Sequence, residues 1–593
     1  MATTGQSDDT ERLAQLTQPN ESFALQRTTT DPYRGDLISD DSDENSTPTR
    51  ASSSHDAGLS TSLSRSVSRS NRRRRTQTVL SRIRSRPPVG NFTHPLEHEK
   101  TTIEELVDFD GPADPYHPVN WPLHKKGTTT LLYALTTMTA AYASATISAG
   151  TNQISQEFHI GSQTATLATS LFLVGFGIGP LLWGPLSEVY GRKMAVLPPV
   201  FVAACMTFGT AVAKDVQTLM ITRFFAGFFN SAPVTNTGGV LADLFPPSQR
   251  GIAIASYSIA VVTGPAIGPL IGAAFVSNAS LGWRWTEYFS AILTLAVLLL
   301  DVIFCDETYP PKLLVYKARK LRIASGNWAL HAKFEEWDIS LTELAHKYLV
   351  RPIQIITTPI GFSICLYASF CYGILYMNLG AIPIIFGEKR HWTPVTSSLP
   401  FLGMLVGACI AGGINTLNQM YYNRRVAPGT INPELRLLPM MGGSVAFAGG
   451  LFIVGWCGPP ENAPAVAPIL GIGLVGVGFS TIFQSAINYL VDTFTKYGAS
   501  AVAANTFLRS CFAAGFPLTV TPLYHNVGVP WGTSIFGFFA MALIPVPFLL
   551  YKFGERLRGR SKWSRDSVAK SRTRARDMQK ELTGGREREK VEA

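Results

Sequence analysis

Apolar residues recur along this chain in blocks of about 20, the length a helix needs to cross the hydrocarbon core of a bilayer. Twelve blocks can be read, at 127–149, 164–185, 194–213, 217–240, 252–276, 285–304, 357–379, 397–416, 436–456, 466–489, 499–521 and 531–552. A backbone in hydrocarbon must satisfy its own hydrogen bonds, so each block predicts a helix. Several are rich in Gly, Ala, Ser and Thr, which predicts faces turned toward other helices. The connections are short except near 305–355, which divides the helices six and six. Two sets of six are the arithmetic of a duplicated unit. A faint internal echo agrees: YYNRR (421–425) falls between helices eight and nine, where GPLSEVYGRK (184–193) falls between helices two and three. The pattern therefore predicts an all-α membrane protein. Its parts are a disordered tail (1–126), a first bundle (127–304), a linker (305–356), a second bundle (357–552) and a basic tail (553–593).

Charge sharpens this reading. Charged residues make up 16% of the chain, against roughly 25% in soluble domains. They crowd into the first 126 residues, the linker and the last forty. Lys and Arg near the helix ends set orientation. Arg192–Lys193, Arg250, the run KLLVYKARKLR, Arg424–Arg425, Arg436 and Lys496 share one side with both tails, which predicts that side to be the cytosol. Lys389–Arg390 is the exception on the other side. MATTGQSDDTERLAQ is polar, so no signal peptide is expected and the first internal apolar helix is expected to start insertion. The seven cysteines stand singly with no metal-ligand spacing, which predicts buried free thiols and no metal. Asn278-Ala-Ser280 is a glycosylation sequon expected to lie too close to the membrane to be used.

Residues 1–100 are rich in Ser, Thr, Asp and Arg and nearly free of aromatics. Such a segment cannot bury enough apolar surface to fold. SRSVSRSNRRRRTQTVLSRIRSR fits a kinase substrate or a clamp on anionic lipid. A nucleic-acid partner is not expected for a tail tethered to a membrane protein.

Three stretches point to moving parts. In GPLSEVYGRK, the glycines Gly184 and Gly191 let the chain turn and helices close up. Arg192 can reach a carboxylate or a helix C-terminal dipole on the neighbouring bundle, while the bland alternative is a basic loop that only fixes topology. In the fourth block, Arg223 lies on the order of 10 Å inside the apolar run if the helix starts near Val216. An arginine at that depth demands partners or a wet cavity, unless it snorkels to the interface. Gly227, Asn230 and Thr237 follow along one face. In the fifth block, Ser256, Ala260, Gly264, Gly268 and Gly272 form a smooth ridge at four-residue spacing, bent by Pro265 and Pro269. Such a ridge suits close backbone approach, and it is expected to seal the space between the bundles.

Twelve helices in two sixes with this loop resemble the major facilitator superfamily, whose signature between helices two and three reads roughly G-x-L-a-D-r-x-G-R-[RK]. Gly184, Leu186, Gly191, Arg192 and Lys193 match; Glu188 keeps the usual charge, and Val189 replaces an arginine. The resemblance implies that this stretch latches the outward-facing state. It also implies that Arg223 and Gly227, which match R-x-x-x-G, take part in proton coupling. G-P-x-x-G-P at 264–269 is similar to the family's antiporter signature. GWRWTEYF (282–289), DETYPPKLL (306–314), RPIQIITTPI (351–360) and SAVAANTFLRSCFAAGFPL (500–518) look like the fungal drug:proton antiporter branch of twelve-helix exporters. The family places substrate between the bundles near mid-membrane.

Candidates for that site are Tyr142, Tyr372 and Tyr376, Gln484 and Asn488, and Asn505 and Arg509, the last three pairs each at four-residue spacing. Tyrosines can stack on flat or cationic ligands and amides can orient them; helix-to-helix glue is the alternative. Glu287 could neutralise a cationic substrate or carry the proton, or it could pair with Arg284 as an anchor. Helices one and two offer no acidic residue, so the proton carrier is not evident. No phosphate-binding G-x-x-x-x-G-K-[ST] and no defensible catalytic constellation occur, so neither ATP, another cofactor nor enzymatic activity is expected.

The reading is a monomeric proton-coupled exporter of drugs, toxins or secondary metabolites, in the plasma or vacuolar membrane, whose bundles rock about a central cavity. A polyamine exporter, a non-transporting sensor on the same fold, and a uniporter or importer are the alternatives. Polyamines should require at least two carboxylates, and only Glu287 is evident. Arg223→Ala is expected to abolish export and leave folding intact.

Overall fold

The computed structural model describes residues 106–111, 113–336, 349–426, 432–561 and 563–565. The expected tails therefore lie largely outside the described residues. Six long helices form the first half: α1 (Leu123–Ala145), α2 (Ser162–Tyr190), α3 (Arg192–Ala211), α4 (Val216–Leu244), α5 (Pro247–Ser277) and α6 (Arg284–Phe304). Six more form the second: α7 (Pro359–Ile382), α8 (Pro400–Arg425), α9 (Leu438–Cys457), α10 (Val466–Thr493), α11 (Gly498–Val527) and α12 (Val529–Arg560).

Local chemistry sets their ends. Asp215 accepts from the Thr218 amide at 2.7 Å and starts α4. The Thr358 hydroxyl accepts from the Gly361 amide at 3.1 Å and starts α7. Prolines 247, 359 and 400 occupy first-turn positions, where their missing N–H costs nothing.

Among the described residues, nine helical stretches are long and apolar enough to cross a membrane by composition. The three remaining long helices, α1, α4 and α11, fall short because their polar residues face inward. Thr129, Thr136, Thr137, Thr139 and Ser144 of α1 are buried, as are Arg223, Asn230, Asn236 and Thr237 of α4 and Asn505, Thr506, Arg509 and Ser510 of α11. A polar stripe turned into a bundle lowers mean hydropathy without exposing anything to lipid.

The packing repeats six helices on. In the first half α1 lies against α5, α2 against α4, and α3 against both α4 and α6. In the second half α7 lies against α11, α8 against α10, and α9 against both α10 and α12. The contacts between halves are symmetric too, α2 with α11 and α5 with α8. Close approach is built the same way in each. A Cβ on Gly227 would lie 1.9 Å from the Phe172 carbonyl oxygen, and one on Gly407 would lie 2.1 Å from that of Gly473.

Two caps close the ends. The helix entries that carry Arg192, Arg250 and Arg436 share one face, called here the basic face. There, residues 106–111 and 113–121 fold onto the linker helix (Pro310–Ser325). Lys317, 2% exposed, donates to Asp114 Oδ2 at 3.0 Å, to the Asp108 carbonyl at 2.8 Å and lies 2.9 Å from Asp110. These residues were assigned to the tail on composition; their ordering comes from this acidic turn gripping one lysine. On the opposite face Glu157 binds Trp283 Nε1 and Arg284 Nη2, both at 2.6 Å. Arg390, the exception to the charge pattern, donates to the Cys457, Gly458 and Ala463 carbonyls and so caps the C-terminal end of α9.

Candidate functional site

The stretch GPLSEVYGRK is not a loop. Helix α2 runs through Tyr190 and α3 begins at Arg192, so Gly191 makes the whole turn at φ +93°. Glu307, just after α6, caps the start of α3. Its carboxylate accepts from the amides of Arg192 (2.8 Å), Lys193 (3.1 Å), Thr308 (3.0 Å) and Tyr309 (3.0 Å). The Arg192 guanidinium donates to Asp243 Oδ2 at 3.0 Å and to the Ser187 hydroxyl at 2.8 Å, and stands 4.8 Å over the Tyr309 ring. Lys193 donates to the Cys305 carbonyl at 2.7 Å. Burial, reinforced by Glu188, pushes the Tyr309 phenol up to about 12, so it stays neutral beneath the guanidinium. Gly184 and Glu188 lie half-buried in the last turns of α2.

This corrects the expected reach of Arg192. Its carboxylate partner is Asp243 on α4 of its own half. The echo at 421–425 is also displaced. The counterpart of Arg192 is Arg436, at the start of α9, which donates to Asp492 at the end of α10 at 2.9 Å and stands 3.7 Å over the Tyr422 ring. Each half thus pairs an arginine at the entry to its third helix with an aspartate ending its fourth. Arg436 also donates to Gln419, which lies against Gly251 of the other half.

At the core of the first half, Arg223 and Glu287 are both 0% exposed and form an ion pair at 3.2 Å. The guanidinium also donates to the carbonyls of Ala168 (3.0 Å), Ala143 (3.0 Å) and Ser144 (3.5 Å), and lies 4.7 Å over Phe172. Arg223 therefore does not snorkel. Glu287 does not anchor Arg284, which takes Glu157 instead. Gly227 brings α4 onto the α2 backbone at Phe172, and Asn230 is buried one turn on.

The ridge on α5 packs, but not where expected. Added Cβ atoms at Gly264 and Gly268 would lie 2.7 and 3.2 Å from atoms of α1, and one at Gly272 would lie 2.6 Å from the Thr146 carbonyl oxygen in the turn that follows α1. The ridge with Pro265 and Pro269 therefore closes α5 onto α1 within one half, and does not seal the space between halves. The Ser256 side chain lies outside the described ones.

Between the halves, the Ser144 hydroxyl on α1 and the Tyr376 hydroxyl on α7 are 2.8 Å apart. Tyr376 lies 5.2 Å from Tyr372, centroid to centroid. Tyr372 sits 6.2 Å from Phe483 at 23°, and Phe483 5.7 Å from Phe479 at 14°. Arg509 stands 4.8 Å over Tyr372 and 5.2 Å over Phe483. Gln484 and Asn505 are buried beside them on α10 and α11. Asn488 is half-buried, one turn further along α10. Tyr142 meets Phe289 edge-on at 6.1 Å inside the first half. Asn278 is exposed and accepts from Ser280 in a tight turn.

Several groups were missed. Asp301 of α6 is 2% exposed and accepts from the Thr136 hydroxyl at 2.5 Å. A carboxylate inside an apolar run is itself a signal, and LLLDVIF shows it. Asp243, Asp492 and Glu307 close their helices on the basic face, and only the fold reveals what they bind.

Comparison with known proteins agrees with this architecture. The profile of the Major Facilitator Superfamily matches residues 131–517. The chain is 46% identical over 481 residues to efflux pump bik6 of Gibberella fujikuroi, covering 81% of this chain and 99% of that protein. It is 39% identical over 510 residues to the multidrug transporter FLU1 of Candida albicans, covering 85% and 84%. A solved structure of the xylose transporter XylE from E. coli superposes with a TM-score of 0.51 at 18% identity, covering 72% of this chain and 98% of the other, and shares the fold. Twelve helices repeating in two sixes, with these sequence matches, establish that the chain belongs to the major facilitator superfamily.

Proposed function

We propose that the protein is a monomeric, proton-coupled exporter of small organic molecules in the plasma membrane, with both termini in the cytosol. Relatives named as an efflux pump and as a multidrug transporter support the direction and the substrate class. One observation carries the coupling: polar and aromatic contacts run unbroken from Glu287 through Arg223, Ser144, Tyr376 and Tyr372 to Arg509. A proton taken by Glu287 removes the charge that holds Arg223. The guanidinium then leans on the carbonyls of α1 and α2, and Ser144 carries that change across to α7. Substrate between the halves and the proton at Glu287 thereby compete for one arrangement.

Arg192–Asp243 and Arg436–Asp492 act in this reading as paired stays on the basic face. They hold each half rigid while the contacts of α2 with α11 and α5 with α8 open and close. Gly191 is the hinge of the first stay.

Asp301, bonded to Thr136, is a second candidate proton site in the same half. Polyamines fit poorly, because Glu287 already serves Arg223. The test uses inside-out vesicles from cells expressing the protein. Uptake of fluorescein and rhodamine 6G is followed with and without an inward-acid interior. Gradient-dependent uptake of either dye supports an antiporter, and uptake indifferent to the gradient overturns the coupling.

A further inference from the structure

Among the described residues, Arg509 is a buried cation with no counter-ion. It is 3% exposed and sits roughly 16 Å along α11 from the end at Gly498, near the middle of a bilayer. Among the described residues, no carboxylate lies within ion-pair distance of it. Arg192, Arg223, Arg436 and Arg558 each have one. The Arg509 Nε has no hydrogen-bond partner among the described residues, and its guanidinium stands over the rings of Tyr372 and Phe483 with the neutral phenols of Tyr257 and Tyr376 nearby.

Its surroundings are equally unfinished. Asn505, 1% exposed and one turn away, has neither amide atom bonded. Gln484 Oε1 on α10, next to Phe483 in sequence, also lacks a partner among the described residues. Buried polar groups are ordinarily satisfied, and a cluster that is not marks a place for a ligand or for water. An arginine cannot escape the cost by losing its proton. Beside these groups the rings of Tyr372, Phe483 and Phe479 lie within 23° of parallel in successive pairs. A run of near-parallel rings offers a stacking surface to a planar aromatic partner.

We propose that the site between the halves takes a planar aromatic anion, a phenolate or carboxylate. Its charge meets the Arg509 guanidinium, its ring lies against Tyr372 and Phe483, and its neutral hydroxyls donate to Gln484 Oε1 and bond the Asn505 amide. Use of the site for export rests on the function proposed above; the charge preference does not. A cationic substrate would face Arg509 across the same rings.

Binding to the purified full-length protein in detergent tests this with two dyes that share a three-ring xanthene plane. Fluorescein is anionic and rhodamine 6G cationic. The expected result is tighter binding of fluorescein, weakened at least tenfold by Arg509→Gln and largely retained by Arg509→Lys. Asn505→Ala is expected to weaken it about fivefold and serves if the arginine variant does not fold. Rhodamine 6G bound more tightly than fluorescein, or fluorescein affinity indifferent to both Arg509→Gln and Asn505→Ala, would overturn the proposal. Fluorescein bound with this pattern but not moved in vesicles would uphold the charge preference and overturn export.

Discussion

The Ser144 hydroxyl on α1 and the Tyr376 hydroxyl on α7 lie 2.8 Å apart, a direct hydrogen bond between the two six-helix sets. The Ser144 carbonyl also accepts from Arg223, and the Tyr376 ring lies tilted against that of Tyr372. This bond therefore links the proposed proton site to the proposed substrate site. Tyr376→Phe removes it and keeps the ring. A net hydrogen bond is worth about 1 kcal/mol, so gradient-driven transport should fall about fivefold while dye affinity changes less than about twofold. Initial uptake rates set beside binding curves check this; equal loss of both would place Tyr376 in binding alone.

The Arg223–Glu287 pair alters an expectation about folding. Arg223→Ala strands a carboxylate in a site with no exposure, and breaking a buried pair costs about 3–5 kcal/mol. The single variant should therefore unfold at lower temperature as well as lose export. Arg223→Met with Glu287→Met should recover much of the stability without restoring coupling. Thermal unfolding in detergent decides; a double variant less stable than either single would contradict the pairing.

Glu307 serves four amides at the start of α3 and in the turn that follows α6. Glu307→Ala should cost about 1–3 kcal/mol, the penalty for leaving buried groups unsatisfied. Gly191→Ala should be comparably harmful. Its φ of +93° strains any side chain, and its Cβ would lie 2.5 Å from the Glu307 carboxylate. Thermal unfolding and surface abundance of both variants report this, and a wild-type melting point for Gly191→Ala would refute the hinge geometry.

Acid should loosen the cap opposite the basic face. Burial alone would push the Glu157 carboxyl up, but hydrogen bonds from Trp283 and Arg284 outweigh it and hold the carboxyl below its ordinary 4.5. A depressed carboxylate stabilises the fold above its unfolded value, and that contribution is lost as pH falls through the folded one. The loss thus belongs below about pH 4.5. Because Glu157 is 43% exposed, the effect should stay under about 1 kcal/mol. Glu157→Gln should flatten this part of the stability profile; an unchanged acid slope would assign it to other groups.

The helices were legible because each apolar block has the length of a bilayer crossing, and Arg223 was legible because an arginine inside such a block is anomalous. The partners were not. Nothing in linear order says that Glu287 meets Arg223 across 64 positions, or that the ridge on α5 meets α1 and not the other half. Pattern matching also led to Arg424–Arg425 as the repeat of Arg192. The true counterpart, Arg436, lies past the connection that YYNRR opens, and the identity rests on its aspartate partner. Asp301 was readable and was passed over among leucines.

Proton movement in proteoliposomes with a trapped pH dye tests the central claim most directly. Substrate added to wild-type protein should drive a proton flux of opposite direction. The Glu287→Gln variant should still exchange substrate for substrate but carry no protons. Proton flux in Glu287→Gln equal to that of the wild type would contradict the assignment of coupling to this carboxylate.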